Sequence, residues 1–186
     1  KDIDAKIKKL IAAEIAAANK RNAAKTGTAA PKAGTKEASK FVLTAEGKIE
    51  SNNFKANKGK LPWPVEKGYI SQKHGDQPHP VHKNVTIHQS GVEITTEKGA
   101  SARAVFAGEV LQVHLISANN KAVYIKHGDY ITIYMNLSSV NVVKGQKVSI
   151  KQNIGKIHTD TSGNTTIKFL VFQNETTLNP ETWLNL

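Results

Sequence analysis

Two hydrophobic spacings divide the chain. Over residues 2–22, DIDAKIKKLIAAEIAAANKRN, apolar side chains recur at Ile3, Ile7, Leu10, Ile11 and Ile15, which predicts a helix with one narrow stripe. Asp2 or Asp4 can cap its start, and Lys20 and Arg21 suit its C-terminal end. Alone in water such an Ala-rich helix is marginal. It needs a partner: another helix, as at the end of a coiled coil, or a groove on the domain that follows. Residues 23–40, AAKTGTAAPKAGTKEASK, lack large apolar residues and read as a flexible linker.

From Phe41 the composition changes, and the domain is expected to span residues 41–186. GKLPWPVEKGYIS sets two prolines around Trp63 before a short apolar strand. Beyond it come GVEITT, ARAVFAGEVLQVHLI, NNKAVYIKHG, YITIYMNL, VNVVKGQKVSI, NIGKIHTD and TTIKFLVFQN, with period-two alternation clear at Val123, Ile125 and at Ile131, Ile133. The turns between them, such as KHGDY, VKGQK and TSGNT, mostly carry glycine. Many short strands at this spacing predict an all-β barrel or sandwich.

Composition narrows the chemistry. The chain of 186 residues holds no cysteine, which removes disulfides, Cys-based zinc sites and thiol nucleophiles together. No run of about 18 apolar residues is present to span a membrane. Residue 1 is Lys, so the chain reads as a processed or truncated piece of something longer. Net charge is +11, of which residues 1–40 contribute +6. A basic surface favours anionic partners of many kinds. Nucleic acid would need Lys/Arg interleaved with aromatics on one element, and only KHGDY comes near that pattern, so no nucleic-acid partner is expected.

The order of segments carries more. Gly99-x-x-x-RAVFAGEV, then YIKHGDYITIYMNLS, then VNVVKGQKVSIKQNIG and a closing hairpin resemble the lysostaphin/LytM-type metallopeptidase domain over about residues 60–184. LPWPVEKGYIS, the HPV that follows it and LNPETWL look like one branch of it, the EnvC-type murein hydrolase activators, whose LytM domain follows a long coiled coil. The resemblance implies a mainly β, barrel-sandwich-hybrid type antiparallel domain with a long groove, in which peptidase members hold zinc.

Active members carry H-x-G-x-D, Y-x-H-L and H-x-H-F, since neutral imidazoles and a carboxylate hold the metal and leave one position for an activated water. In residues 84–94, NVTIHQSGVEI, the first His falls on Gln89 and the Asp on Glu93. Asn136 stands at the middle His, and Phe169 and Val171 at the H-x-H pair. Phe and Val have no lone pairs to give, so no catalytic zinc and no cofactor are expected. His88 is one residue out of register with Glu93 and would point the opposite way along a strand. His74, His79, His82 and His88 lie close in sequence, either as an exposed loop or as an adventitious metal site. His127 is expected as a turn residue, and His114 and His158 as structural strand residues. Trp63, Trp183 and Phe172 are expected in the core, whereas Phe169 would face the groove.

A groove that keeps its walls and loses its metal suits binding better than cleavage. The resemblance implies a non-enzymatic domain of the periplasm or cell envelope that docks onto a peptidoglycan amidase and relieves its autoinhibition during daughter-cell separation. An upstream division-machinery regulator would control that contact, and the helix at 2–22 could occupy the groove until withdrawn. The expected contact surface is Gln89, Glu93, Tyr134, Asn136, Phe169 and Val171, with Tyr134 and Phe169 as anchors. The alternatives are a direct peptidoglycan-binding module and an active zinc metalloendopeptidase.

Overall fold

In the computed structural model, which describes residues 2–27 and 29–186, the β-branched and aromatic runs after Gly68 pair as strands. Lys1 and Thr28, within the ranges read as helix and linker, lie outside the described residues. The strands are β1 (Tyr69–Gln72), β2 (Gly75–Pro78), β3 (Thr86–Gln89), β4 (Val92–Thr96), β5 (Ser101–Arg103) and β6 (Gly108–Ser117). There follow β7 (Asn120–His127), β8 (Tyr130–Val140), β9 (Lys147–Val148), β10 (Asn153–Ile157), β11 (Thr165–Gln173) and β12 (Thr176–Leu178). The main sheet runs β1-β4-β11-β8-β7-β6-β9; β10 bridges β8 and β5, and β12 extends β11. β2 and β3 form a separate two-stranded ribbon. The named strands pair antiparallel throughout, which is the mainly β architecture expected from the sequence.

The central strands are buried on both faces. On one face Ile94, Val123, Ile125, Tyr134, Ile167, Phe169 and Val171 form the larger core. On the other, Leu111, Ala122, Tyr124, Ile131, Ile133, Met135, Leu170 and Phe172 meet the helix α1 (Asp2–Thr26), which inserts Ile7, Ile11 and Ile15 with no remaining exposure. The sequence stripe left two options for that helix, and here it packs on the domain. It extends past residue 22 because Ala23 and Ala24 sustain it and Lys25 faces the negative end of its dipole.

Polar contacts fix the register of α1 along the sheet. Ser90 Oγ donates to Asp4 Oδ1 at 2.7 Å near one end. Near the other, Asn19 Nδ2 donates to the Lys40 carbonyl and Asn19 Oδ1 accepts from Val42 N–H, at 2.8 and 2.7 Å. Residues 40–42 therefore form a strap over the helix, with Phe41 buried and its N–H donated to Asn174 Oδ1.

A second helix, α2 (Ala45–Ala56), was not expected from the sequence, where it carries only two large apolar residues, Ile49 and Phe54, of which Ile49 is exposed. Thr44 caps it by accepting from Gly47 N–H. Its Phe54 enters the larger core and stacks on His127, with ring centroids 4.6 Å apart, and on Trp183 at 4.9 Å. His127 is thus no turn residue: it ends β7, is buried, and begins a hydrogen-bond chain. The Ala107 carbonyl, 2.7 Å away, can only accept, so His127 Nδ1 carries the proton. Nε2 then accepts from Thr132 at 2.9 Å, Thr132 accepts from the Tyr134 hydroxyl at 3.0 Å, and that oxygen accepts from Val105 N–H at 2.9 Å. Burial pushes the His127 pKa down to about 4 and holds the Tyr134 phenol protonated well above its ordinary range.

Candidate functional site

The positions vacated by the metal motifs divide between the two faces of the sheet. In β4 and β11, Glu93 stands directly across from Lys168, and Val92 from Phe169. Because side chains alternate along a strand, Glu93 and Lys168 share one face while Val92, Phe169 and Val171 point to the larger core. Tyr134, Phe169 and Val171 are each fully buried there, the Tyr134 and Phe169 rings 5.4 Å apart. These three do not line a groove. The expectation that placed them on a contact surface is corrected by the strand register.

Thr166 and Lys168 take their place. Together with Glu93 and Asn136 they line an open cleft of about 430 Å³ on the α1 face, completed by Asn120, Met135, Ile116 and Ile3 of the helix. The sequence carried the signal: in TTIKFLVFQ the polar Thr166 and Lys168 alternate with apolar Ile167, Phe169 and Val171. Asn136 adopts a left-handed backbone, φ 70°, where the register of β8 slips between Tyr134 and Leu137 against β7. Asparagine tolerates that conformation. Its Nδ2 donates to the Thr166 carbonyl at 2.6 Å, while its own N–H donates to Asn120 Oδ1. Gln89 lies outside the cleft wall, donating weakly to Gln72 Oε1 at 3.4 Å.

Gly91 keeps the outline of the lost motif for a steric reason. A Cβ there would run into the Phe169 carbonyl oxygen and come within 2.7 Å of Leu170 Cγ, so β4 can pass β11 only with glycine at this point. His88 is turned instead toward Asp76 across the β2–β3 ribbon, its Nδ1 2.7 Å from Oδ1. His79 Nδ1 accepts from the N–H groups of Val81 and His82, which organises the ribbon's loop. His74 Nδ1 lies 3.1 Å from the Ser90 carbonyl.

A catalytic zinc does not fit this donor set. Glu93 is the one carboxylate among the cleft residues, an amide and a hydroxyl are poor zinc ligands, and the Lys168 ammonium opposes a cation directly across from Glu93. Among the described residues no three His, Asp or Glu side chains are grouped to hold a metal ion. What the arrangement offers is a recess carrying one charge of each sign on opposed strands. It continues into an apolar sheet face that α1 covers.

Several solved structures share this fold. Csd3 of Helicobacter pylori superposes with a TM-score of 0.56 at 25% identity, covering 68% of this chain and 35% of that one. A chain of the SpoIIQ-SpoIIIAH pore forming complex gives 0.54 at 22% identity, covering 67% and 90%. Lysostaphin, the antimicrobial peptidase from Staphylococcus simulans, gives 0.52 at 23%, covering 67% and 52%. The chain thus spans about a third of Csd3 and about half of lysostaphin. No curated protein matches it. Residues 87–180, from the vacated first motif to the closing proline, match the model of peptidase family M23. That match covers just over half of the sequence, and the chain belongs to peptidase family M23.

Proposed function

We propose that this chain is a non-catalytic M23 domain of the EnvC type, which binds and activates a peptidoglycan amidase in the periplasm during daughter-cell separation. The carrying observation is that α1 lies on the sheet face that continues from the vacated site. Ile7, Ile11 and Ile15 occupy what would otherwise be an open apolar face, so α1 acts as an occupant in cis that must leave before an amidase can dock. A chain of similar fold in the SpoIIQ-SpoIIIAH complex supports the idea that such domains work in protein assemblies. Activation is then a population shift, since the exposed face binds the open amidase better than the closed one. An upstream regulator of the division machinery withdraws the helix, and the lone carboxylate beside Lys168 leaves no zinc-assisted hydrolysis for this domain to perform.

The test is dye release from labelled peptidoglycan with and without the amidase, using two variants. Ile7→Asp with Ile11→Asp should expel α1 and strengthen amidase binding by about tenfold or more, because the competent state is no longer a minor one. Lys168→Gln, which puts no like charge across from Glu93, should weaken binding with little change in the melting temperature. If both variants stay folded and bind the amidase as the unaltered chain does, the interface lies elsewhere. Retention on sacculi without any amidase would favour a direct wall-binding module instead.

A further inference from the structure

The buried face of α1 is not uniformly apolar. Glu14 sits between Ile11 and Ile15 with 7% of its surface exposed. Its Oε1 accepts from Gln112 Nε2 at 3.2 Å and from Lys144 Nζ at 2.9 Å. Its Oε2 is buried with no hydrogen-bond partner among the described residues. The pairing is lopsided, since the Lys144 side chain is 51% exposed and the Glu14 side chain only 9%.

A helix seated permanently on Leu111, Tyr124 and Ile133 would gain more from leucine or methionine at this position. Replacing a buried ion pair by apolar groups of similar volume is often neutral or stabilising, and an unsatisfied buried oxygen is costly. Undocking returns both Glu14 oxygens and the Lys144 ammonium to water, so the pair penalises the docked state while still fixing its register. We propose that Glu14, with Lys144 and Gln112, is a release latch that holds α1 in place yet keeps it removable. Building on the reading of α1 as a removable occupant, this names what sets the docking equilibrium.

Opposite signs from the two ends of one ion pair distinguish a latch from an ordinary stabilising bridge. Amide hydrogen exchange on the full chain reads the equilibrium directly: protection along α1 reports docking, and protection of β8 and β11 serves as the control for global folding. Glu14→Leu should raise α1 protection by about tenfold, with Glu14→Met acting alike. Lys144→Leu, which strands the carboxylate, should lower it by about threefold or more, with β8 and β11 unchanged in every variant. A fall in α1 protection in both Glu14 variants overturns the latch, as does unchanged protection in Lys144→Leu. Amidase affinity is measured separately on the same variants. If α1 protection moves as expected while amidase affinity stays constant, the latch stands and the amidase reading falls.

Discussion

The register of β11 yields a test that separates two ways of rebuilding a zinc site. Counting from the sequence alone places the missing histidines at 169 and 171; the fold places them at 166 and 168. Phe169→His replaces a fully buried ring packed 5.4 Å from Tyr134 by a smaller polar one, losing about 1–2 kcal/mol of apolar burial and about 1–3 kcal/mol more for an unpaired imidazole. Val171→His forces a larger polar ring into the same core, adding about 1–3 kcal/mol for overpacking and about as much again for an unpaired imidazole. Together about 5 kcal/mol or more is lost, a large share of the roughly 5–15 kcal/mol that holds a domain folded. For a domain of this size that is about 10–20 °C in melting temperature. Histidines at 89, 136, 166 and 168 sit instead on half-buried or open positions, where each change should cost within about 1 kcal/mol. Position 136 tolerates histidine in its left-handed backbone. The assay is thermal unfolding paired with zinc stoichiometry for the two quadruple variants, each retaining Glu93. The 89/136/166/168 set should stay folded and bind one zinc. A 169/171 set that melts like the unaltered chain and takes up zinc, while the 166/168 set takes up none, would refute the register argument.

Two further outcomes follow from the buried network and from the α2 contact. His127 has a folded pKa of about 4 against an ordinary 6.5. The unfolded chain therefore binds the extra proton first as pH falls, and about 3 kcal/mol of stability present above pH 6.5 should be lost between pH 6.5 and 4. Urea unfolding at intervals across that window checks this, and His127→Gln should flatten that part of the profile. Gly128 has φ 69°, and a Cβ there would strike Ser51 Oγ and sit 2.6 Å from the Gly47 carbonyl. Gly128→Ala should thus cost about 2 kcal/mol or more by pushing α2 off the hairpin and breaking the Ser51–Asp129 hydrogen bonds, seen as a lower urea midpoint.

How much of this was legible in the sequence depended on how local each signal was. The helix stripe at Ile7, Ile11 and Ile15 and the alternation at Val123 and Ile125 are visible within one or two turns or pleats. The mismatch at the metal motifs was legible in part: Gln89 and Asn136 stand where the motifs have histidine, whereas Phe169 and Val171 were set at the H-x-H pair in the wrong register. The face on which β11 presents its side chains was legible only at its polar start, where Thr166 and Lys168 alternate with Ile167. Continuous apolar runs such as KFLVF hide the alternation when a strand is covered on both sides, as this one is by α1 and by the larger core. His127 was misread for a related reason: its role depends on Phe54, far away in sequence on a helix with only one other large apolar residue, Ile49.

The sheet covered on both sides also constrains the order of events. With α1 away, Leu111, Tyr124, Ile131, Ile133, Leu170 and Phe172 would stand as one contiguous oily patch, and soluble proteins rarely leave such a patch bare. An emptied face invites a second copy of the chain or non-specific adsorption. If α1 leaves as proposed, release without a partner at hand is the hazardous state, and the safe route is a handover in which the incoming surface displaces the helix stepwise. Local concentration of that partner, rather than the pull on α1 alone, then decides whether withdrawal ends in a complex or in clumping.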